Sequence, residues 1–437
     1  MTLPPKGLPG PARDPMMSTQ QMSAVPAVPS GPALSAAPCA YLRELTSVRF
    51  FAALGVLLLH YDFAFVSAGA PPWLINLVWQ GRAGVSFFFV LSGFILTYTY
   101  GPRFDSGVSA RDLGDFARAR FARIYPMHLM ALVLATLVLV TTGANLARWW
   151  TWPLEALLLQ AWVPSAVYAW NTPAWSISAE LFFYVCFPFF AWLVAGRRRS
   201  PNSLIMIACV CFVVEAAAFV FGFKILKHLG APPRGEPAAW MFVIYPSPIF
   251  RVWEFFAGCC LGSLFVRRGG RLVARRALRD SMIVGLLALA AAVAFAQMRV
   301  HGADALNSYV SYTPIFAAMI LVLASGPTFL SPLLRWAPIV LLGEASYSLY
   351  LLQSPLLVLA HVRPSVHGVI PAPWFYAAAS IGLSVVCFRT VEIPCRKWLR
   401  GSNISGRSAP RAAVVPGHWD GRSSTICGDG GSRSELG

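Results

Sequence analysis

Charge is what this 437-residue chain has least of. Only 12% of its residues are Asp, Glu, Lys or Arg, against about 25% in an average soluble domain. That shortage, with 57% hydrophobic residues and a mean hydropathy of +0.60, excludes an ordinary water-facing enzyme, and it excludes disorder for most of the length. Acidic residues are scarcer still, 18 against 35 basic ones, for a net charge of +17. In a soluble protein such an excess points to nucleic acid; in a lipid-embedded one it belongs to cytoplasmic loops beside anionic headgroups, and no nucleic-acid partner is expected. The nine cysteines form no CxxC pair, and most lie in apolar runs, so they read as small hydrophobes and support neither a metal site nor a disulfide framework. The first residues lack the charged start and short apolar block of a signal peptide. No inverted repeat of the transporter kind is visible.

What is present divides into three parts. Residues 1–40 hold nine prolines among Ala, Ser and Gly and are predicted to be a disordered arm. Residues 401–437, rich in Gly, Ser and Arg, are predicted to be a second disordered tail. Between them, 43–400 is predicted to be an all-α polytopic membrane domain. Its ten apolar stretches each come near the ~20 residues that a spanning helix needs: 48–66, 83–100, 125–142, 177–195, 204–223, 247–265, 281–298, 308–324, 338–360 and 373–391. The segment 151–163 is too short and Trp-rich to span, and reads as interfacial or re-entrant.

Arginine placement orients the stretches. The connection 101–124 carries Arg103, Arg111, Arg118, Arg120 and Arg123; 197–199 is Arg-Arg-Arg; 266–280 carries Arg267, Arg268, Arg271, Arg275, Arg276 and Arg279. The alternate connections are poor, with Arg148 alone in 143–176. Lys224, Lys227 and Arg234 run against the pattern. The positive-inside rule then predicts ten spans with both termini cytoplasmic.

Ionisable residues inside spans are costly and mark candidate sites. Arg49 and His60 lie eleven residues apart in the first stretch, about three turns and roughly 16 Å along one helix face. Arg49 is read either as snorkelling to headgroups or as facing a site; His60 either as an interhelical hydrogen-bonder or as a proton-handling group. Arg120 and Arg123 share a face, as a topological anchor or as a guanidinium clamp for phosphate. At the outer mouth of the fourth stretch, Ser176 and Glu180 share a face behind Trp175, with Ser178 a second candidate cap; the carboxylate either caps or faces the interior. Arg251 and Glu254 are expected to pair structurally. Glu344, Tyr347, Tyr350 and Gln353 make a polar stripe, and Glu392 sits beside Arg396 and Lys397. Gly81, Gly84 and Gly93 allow close helix approach. The polar groups fall into two expected layers: Arg49, Arg120, Arg123, Glu392 and Arg396 on the cytoplasmic side, and His60, Glu180, Arg251 and Glu254 deeper. An anionic ligand entering from inside, and proton chemistry near the midplane, follow from that arrangement.

In order, the blocks RFFAALGVLLLH, GRAGVSFFFVLSGFIL, RARFARIYP, WSISAELFFY, GEASYSLYLLQSP and VEIPCRKW make residues 43–400 resemble the acyltransferase-3 family of integral-membrane O-acyltransferases. The resemblance implies a multi-pass protein of the bacterial cytoplasmic (inner) membrane. It implies transfer of an acyl group, most readily acetyl, from cytoplasmic acyl-CoA to a hydroxyl of a carbohydrate or glycosylated metabolite, with no bound cofactor, as in polysaccharide modification. The family's Arg-x10-His pattern falls on Arg49 and His60, its Arg-x-x-Arg on Arg120 and Arg123, and its Trp-Ser-x-x-x-Glu on Trp175, Ser176 and Glu180. On this reading His60 is the general base or a transient acyl carrier, and Glu180 orients it or holds the acceptor. The three arginines bind the donor's phosphates, and Trp175 and Ser176 contact the acceptor. The ninth-stretch block often ends in His in the family, where this chain has Gln353, so no second titrating group is assigned there. The alternative is a proton-coupled transporter or flippase for a glycolipid or polysaccharide intermediate.

Overall fold

The computed structural model describes residue 1 and residues 41–104, 107–143, 148–195, 199–228, 243–270, 272–298, 307–362, 365–366 and 370–400. The two stretches expected to be disordered lie outside the described residues apart from residue 1, as do Arg197, Arg198, Arg234, Arg271 and Arg299. The described residues from Tyr41 onward cluster as one unit.

The described chain is helical apart from an antiparallel pair of two-residue strands, β1 (Ser365–Val366) and β2 (Ile370–Pro371). In order the helices are α1 (Arg43–His60), α2 (Asp62–Ser67), α3 (Pro72–Trp79), α4 (Ala83–Phe104), α5 (Ala110–Thr141), α6 (Trp152–Ala156), α7 (Trp175–Ala195) and α8 (Pro201–His228). There follow α9 (Pro248–Arg267), α10 (Arg276–Met298), α11 (Asn307–Ala324), α12 (Ser331–Leu334), α13 (Ala337–Glu344), α14 (Ser346–Val362), α15 (Ala372–Cys387) and α16 (Ile393–Arg400). In lipid the backbone must satisfy itself, and helices do so within one segment.

Among the described residues seven helical runs are long and apolar enough to cross a membrane: Pro72–Phe104, Ala110–Thr141, Thr172–Val194, Pro201–Gly222, Pro248–Arg267, Arg276–Gln297 and Pro373–Leu399. Three of the ten expected stretches fall short of that standard, each for a visible reason. The stretch 48–66 breaks at Tyr61 between α1 and α2, and 338–360 breaks at Ala345 between α13 and α14. The stretch 308–324 is a shorter apolar helix carrying Pro314. The arginine-rich connection 101–124 is mostly helix: α5 starts at Ala110, where the Ser109 hydroxyl accepts the Asp112 N–H at 3.0 Å. Its 32 residues rise about 48 Å, more than the ~30 Å of hydrocarbon, so the arginine-bearing turns extend beyond the apolar part.

The core is where α4, α7 and α9 cross. Phe87, Phe89, Phe94, Phe183, Phe187 and Phe255 are buried there. Glycine sets the spacing: a Cβ on Gly93 would lie 2.0 Å from the Phe255 carbonyl oxygen, and one on Gly258 2.1 Å from that of Val90. Cys211, Cys259, Cys260 and Cys387 are buried as expected of small hydrophobes, whereas Cys209 is exposed on α8. The polar stripe keeps Tyr347, Tyr350 and Gln353 buried on α14, while Glu344 ends α13 and bonds the Tyr41 hydroxyl at 2.9 Å.

Candidate active site

A cavity of about 180 Å³ opens between α1, α4, α5, α7 and α14. Arg49, Arg120, Arg123, Ser176 and Glu180 all line it, and so do Ser92, Tyr184, Ser346, Tyr347 and Tyr350. Five residues separated by up to 131 positions are thereby gathered around one space.

The three arginines differ in their commitments. Arg123 pairs with Glu392, which also holds Arg396 at 3.1 Å and accepts the Ser348 hydroxyl at 3.0 Å. A short π-helical turn, Phe388–Glu392, brings that carboxylate inward to 2% exposure. Arg120 donates to the Tyr100 hydroxyl at 2.8 Å and lies 4.9 Å above the Tyr100 ring and 5.9 Å from that of Tyr184. Arg49 and Arg120 have no carboxylate partner within ion-pair distance among the described residues. Three guanidinium groups against two carboxylates, Glu180 on the wall and Glu392 beside Arg123, leave the wall net positive and suited to planar, bidentate anions.

Glu180 faces the same cavity. Its Oε1 accepts the Ser92 hydroxyl at 3.0 Å and the Tyr184 hydroxyl at 2.5 Å. It therefore groups with the arginines, not with Arg251 and Glu254 as the two-layer expectation had it. The Ser176 hydroxyl donates to the Pro173 carbonyl at 3.0 Å and lies 2.8 Å from that of Tyr350.

Trp175 and His60 stand outside this lining. Trp175 is 4% exposed, against Tyr245 at 4.9 Å and Phe89 at 6.2 Å between ring centres. His60 is the last residue of α1. It lies beside Gln353, one turn along α14 from Tyr350. Its Nδ1 and the Gln353 Oε1 are buried with no hydrogen-bond partner. Asp62, two residues on, accepts the Trp79 indole N–H at 2.9 Å.

Arg251 and Glu254 do pair, at 3.2 Å and 0% exposure. Arg251 also donates to Ser86 at 3.2 Å and lies under Phe89, Trp175 and Tyr245. Sequence reasoning passed over Glu215, fully buried on α8 beside Glu254 and bonded by Thr313 at 3.2 Å. It also passed over Glu155, 1% exposed in the short segment before α7. A lone carboxylate within an apolar run was the available signal for both.

A helical chain with seven membrane-length runs and an arginine-lined cavity between its helices is a multi-pass membrane protein. Residues 42–389 match the acyltransferase domain family, acyltransferase-3; the chain belongs to that family and is an O-acyltransferase. Its relatives include acyltransferase MdmB of Streptomyces mycarofaciens, 29% identical over 371 residues, covering 80% of this chain and 88% of that one. The putative peptidoglycan O-acetyltransferase YrhL of Bacillus subtilis is 24% identical over 73% of this chain and 49% of its own length. Peptidoglycan O-acetyltransferase OatA of Listeria monocytogenes is 21% identical over 82% and 56%. The chain thus spans about half the length of these two. No solved structure matches the chain.

Proposed function

We propose that the protein moves an acyl group, acetyl in the first instance, from acyl-CoA to a hydroxyl of a carbohydrate or glycosylated metabolite, within residues 43–400. The observation that carries this reading is the single cavity walled by Arg49, Arg120 and Arg123 with Ser176 and Glu180 on the same wall. The relatives named for peptidoglycan O-acetylation support a sugar acceptor. The arginines hold the donor's phosphates, and its extended pantetheine arm carries the thioester into the cavity. The acceptor hydroxyl attacks the thioester carbonyl, its proton leaves to a base, and the CoA thiolate departs and takes up a proton. His60 fills the base role, or carries the acyl group between two half-reactions. The reacting end then passes Tyr350 to reach the imidazole at Gln353. Glu180 and Ser176 hold the acceptor. Trp175 serves it from behind, by supporting the start of α7 rather than by touching the cavity.

In this reading the chain crosses the bacterial cytoplasmic membrane ten times with both termini inside, α1, α11 and α14 adding three crossings to the seven longer helices. The donor arrives from the cytoplasm and the acceptor from outside. Transport or flipping of a glycolipid has no specific observation in its favour.

The test is release of CoA from labelled acetyl-CoA by purified protein, with and without a panel of glycosylated acceptors. Transfer of label that depends on His60 supports the reading; tight binding of acetyl-CoA without transfer to any hydroxyl overturns it.

A further inference from the structure

The first turn of α14 carries one polar side chain that the protein itself does not use. In the run Glu344-Ala345-Ser346-Tyr347-Ser348 the other polar side chains are engaged. The Tyr41 hydroxyl donates to Glu344 at 2.9 Å, the Tyr347 hydroxyl to the Ile124 carbonyl at 2.7 Å, and the Ser348 hydroxyl to Glu392 at 3.0 Å. Ser346 is 0% exposed, and its Oγ is buried with no hydrogen-bond partner. It lines the cavity together with Arg49 and Arg120. A buried hydroxyl left unmatched is costly, so its place on a cavity wall points to a ligand that accepts from it.

The backbone adds to this donor. Ala345 separates α13 from α14 and has no side-chain oxygen to cap the new helix. The first turn closes with the Leu349 N–H on the Ala345 carbonyl at 3.0 Å. The N–H groups ahead of that bond form the start of a 17-residue helix, which carries partial positive charge. A second donor on the same wall is also unmatched: Arg120 Nε is buried without a partner, while Nη2 of the same group donates to Tyr100. The carboxylate on the wall, Glu180, already accepts from Ser92 and Tyr184, and Glu392 stands outside the lining. A hydroxyl, a guanidinium N–H and a helix start, with the Arg49 charge on the same cavity, suit a phosphate, which offers several acceptor oxygens and negative charge. Position excludes the reacting carbonyl as the occupant. Gln353, beside His60, lies seven residues further along α14, about 10 Å of helix rise.

We propose that Ser346 and the start of α14 form a phosphate subsite for the acyl donor, completed by Arg49 and Arg120. The assignment to the donor rests on the transfer reading; the preference for a phosphate rests on the unmatched donors. From this subsite the pantetheine arm runs along α14 toward Gln353 and His60.

The experiment titrates CoA and inorganic pyrophosphate into the full-length protein in an alkyl maltoside and phosphate-free buffer. It also compares transfer from acetyl-CoA with transfer from acetyl-pantetheine, a donor without phosphates. S346A removes the hydroxyl with little change in volume, and is expected to bind both CoA and pyrophosphate about tenfold or more weakly. Its kcat/KM is expected to fall by a similar factor for acetyl-CoA and by less than about twofold for acetyl-pantetheine. In an R49A background the loss caused by S346A is expected to shrink, because both groups hold one phosphate. Equal CoA affinity in wild type and S346A, an equal loss for the two donors, or a loss undiminished by R49A each overturns the proposal. Displacement of CoA by phosphatidylglycerol that vanishes in S346A assigns the subsite to a lipid headgroup and overturns it too. Binding of CoA that depends on Ser346 without transfer to any hydroxyl overturns the functional reading alone.

Discussion

At the scale of single residues, the three arginines separate into two kinds, and the difference is measurable. Arg49 and Arg120 face the cavity without a carboxylate, whereas Arg123 neutralises the buried Glu392. Hydrogen bonds to charged groups contribute about 1.5–3 kcal/mol. Alanine at Arg49 or Arg120 is therefore expected to weaken acetyl-CoA binding by about ten- to a hundredfold, with little change in thermal stability, in a titration that leaves Arg148→Ala near wild type. Arg123→Ala strands Glu392 with Arg396 alone, and breaking a buried pair costs about 3–5 kcal/mol, so it is expected to lower Tm as well. Arg123→Ala combined with Glu392→Gln recovers much of that loss. Unchanged donor affinity in Arg49→Ala and Arg120→Ala returns both to topological anchors. His60→Ala is expected to abolish transfer while the protein inserts normally; near-normal turnover removes it from both the base and the carrier roles. The spacing of Arg49, Arg120, Arg123, Ser176 and Glu180 made them visible in the sequence, because ionisable side chains at helical intervals in apolar runs stand out. Which of them share a cavity was not visible, because Glu392 reaches Arg123 across 269 positions and only packing makes that pair.

At the scale of elements, the helices were legible where apolar runs are long and illegible where they are interrupted. The periodicity of 48–66 gives no sign that the helix stops at His60, since Tyr61 and Asp62 are compatible with helix; the break follows from tertiary contacts, with Tyr61 fully buried and Asp62 bonded to Trp79. Gly93 was legible as a packing residue, and its partner was not. With only 2.0 Å between a Cβ there and the Phe255 carbonyl oxygen, the obstacle is backbone, which cannot rotate away. Gly93→Ala is expected to destabilise by about 1–3 kcal/mol or more, read as a lower Tm in detergent. Gly285→Ala on α10, where nothing lies within 4 Å, is the matched control and is expected to be neutral or slightly stabilising through helix propensity. Equal Tm shifts in the two variants contradict the close crossing of α4 and α9.

At the scale of the whole molecule, the proposed topology expects an arginine-rich rim on one side of the apolar bundle and an arginine-poor one on the other. The first carries the exposed turns of α5 with Arg111 and Arg118, and the loop where Arg279 donates to the carbonyls of Val273 at 2.7 Å and Ala274 at 2.8 Å. Exposed tryptophans occur at both kinds of helix end, Trp73, Trp79, Trp149, Trp150 and Trp162 at arginine-poor ones and Trp192, Trp336 and Trp398 near arginines. Tryptophan favours both membrane interfaces, and arginine the cytoplasmic one, so it is the arginine asymmetry that assigns sides. In the proposed topology, counting about 20 residues back from Thr141 along α5 spans the hydrocarbon and arrives at Arg123, so that the guanidinium wall falls at the cytoplasmic boundary and Ser109 beyond it. Ser165 lies in the connection between α5 and α7, where Arg148 bonds its carbonyl at 3.0 Å. Both serines are exposed. Cysteines placed at 109 and 165 are expected to react with an impermeant maleimide from opposite faces of sealed vesicles, Ser165→Cys from the extracytoplasmic one, measured against the parent protein because Cys209 is itself exposed. Acetyl-CoA is expected to slow labelling at a cysteine replacing Arg118, near the donor wall, and to leave the 165 position untouched. Reaction of both positions from one face contradicts an odd number of crossings between them, and with it a donor and an acceptor that meet from opposite sides.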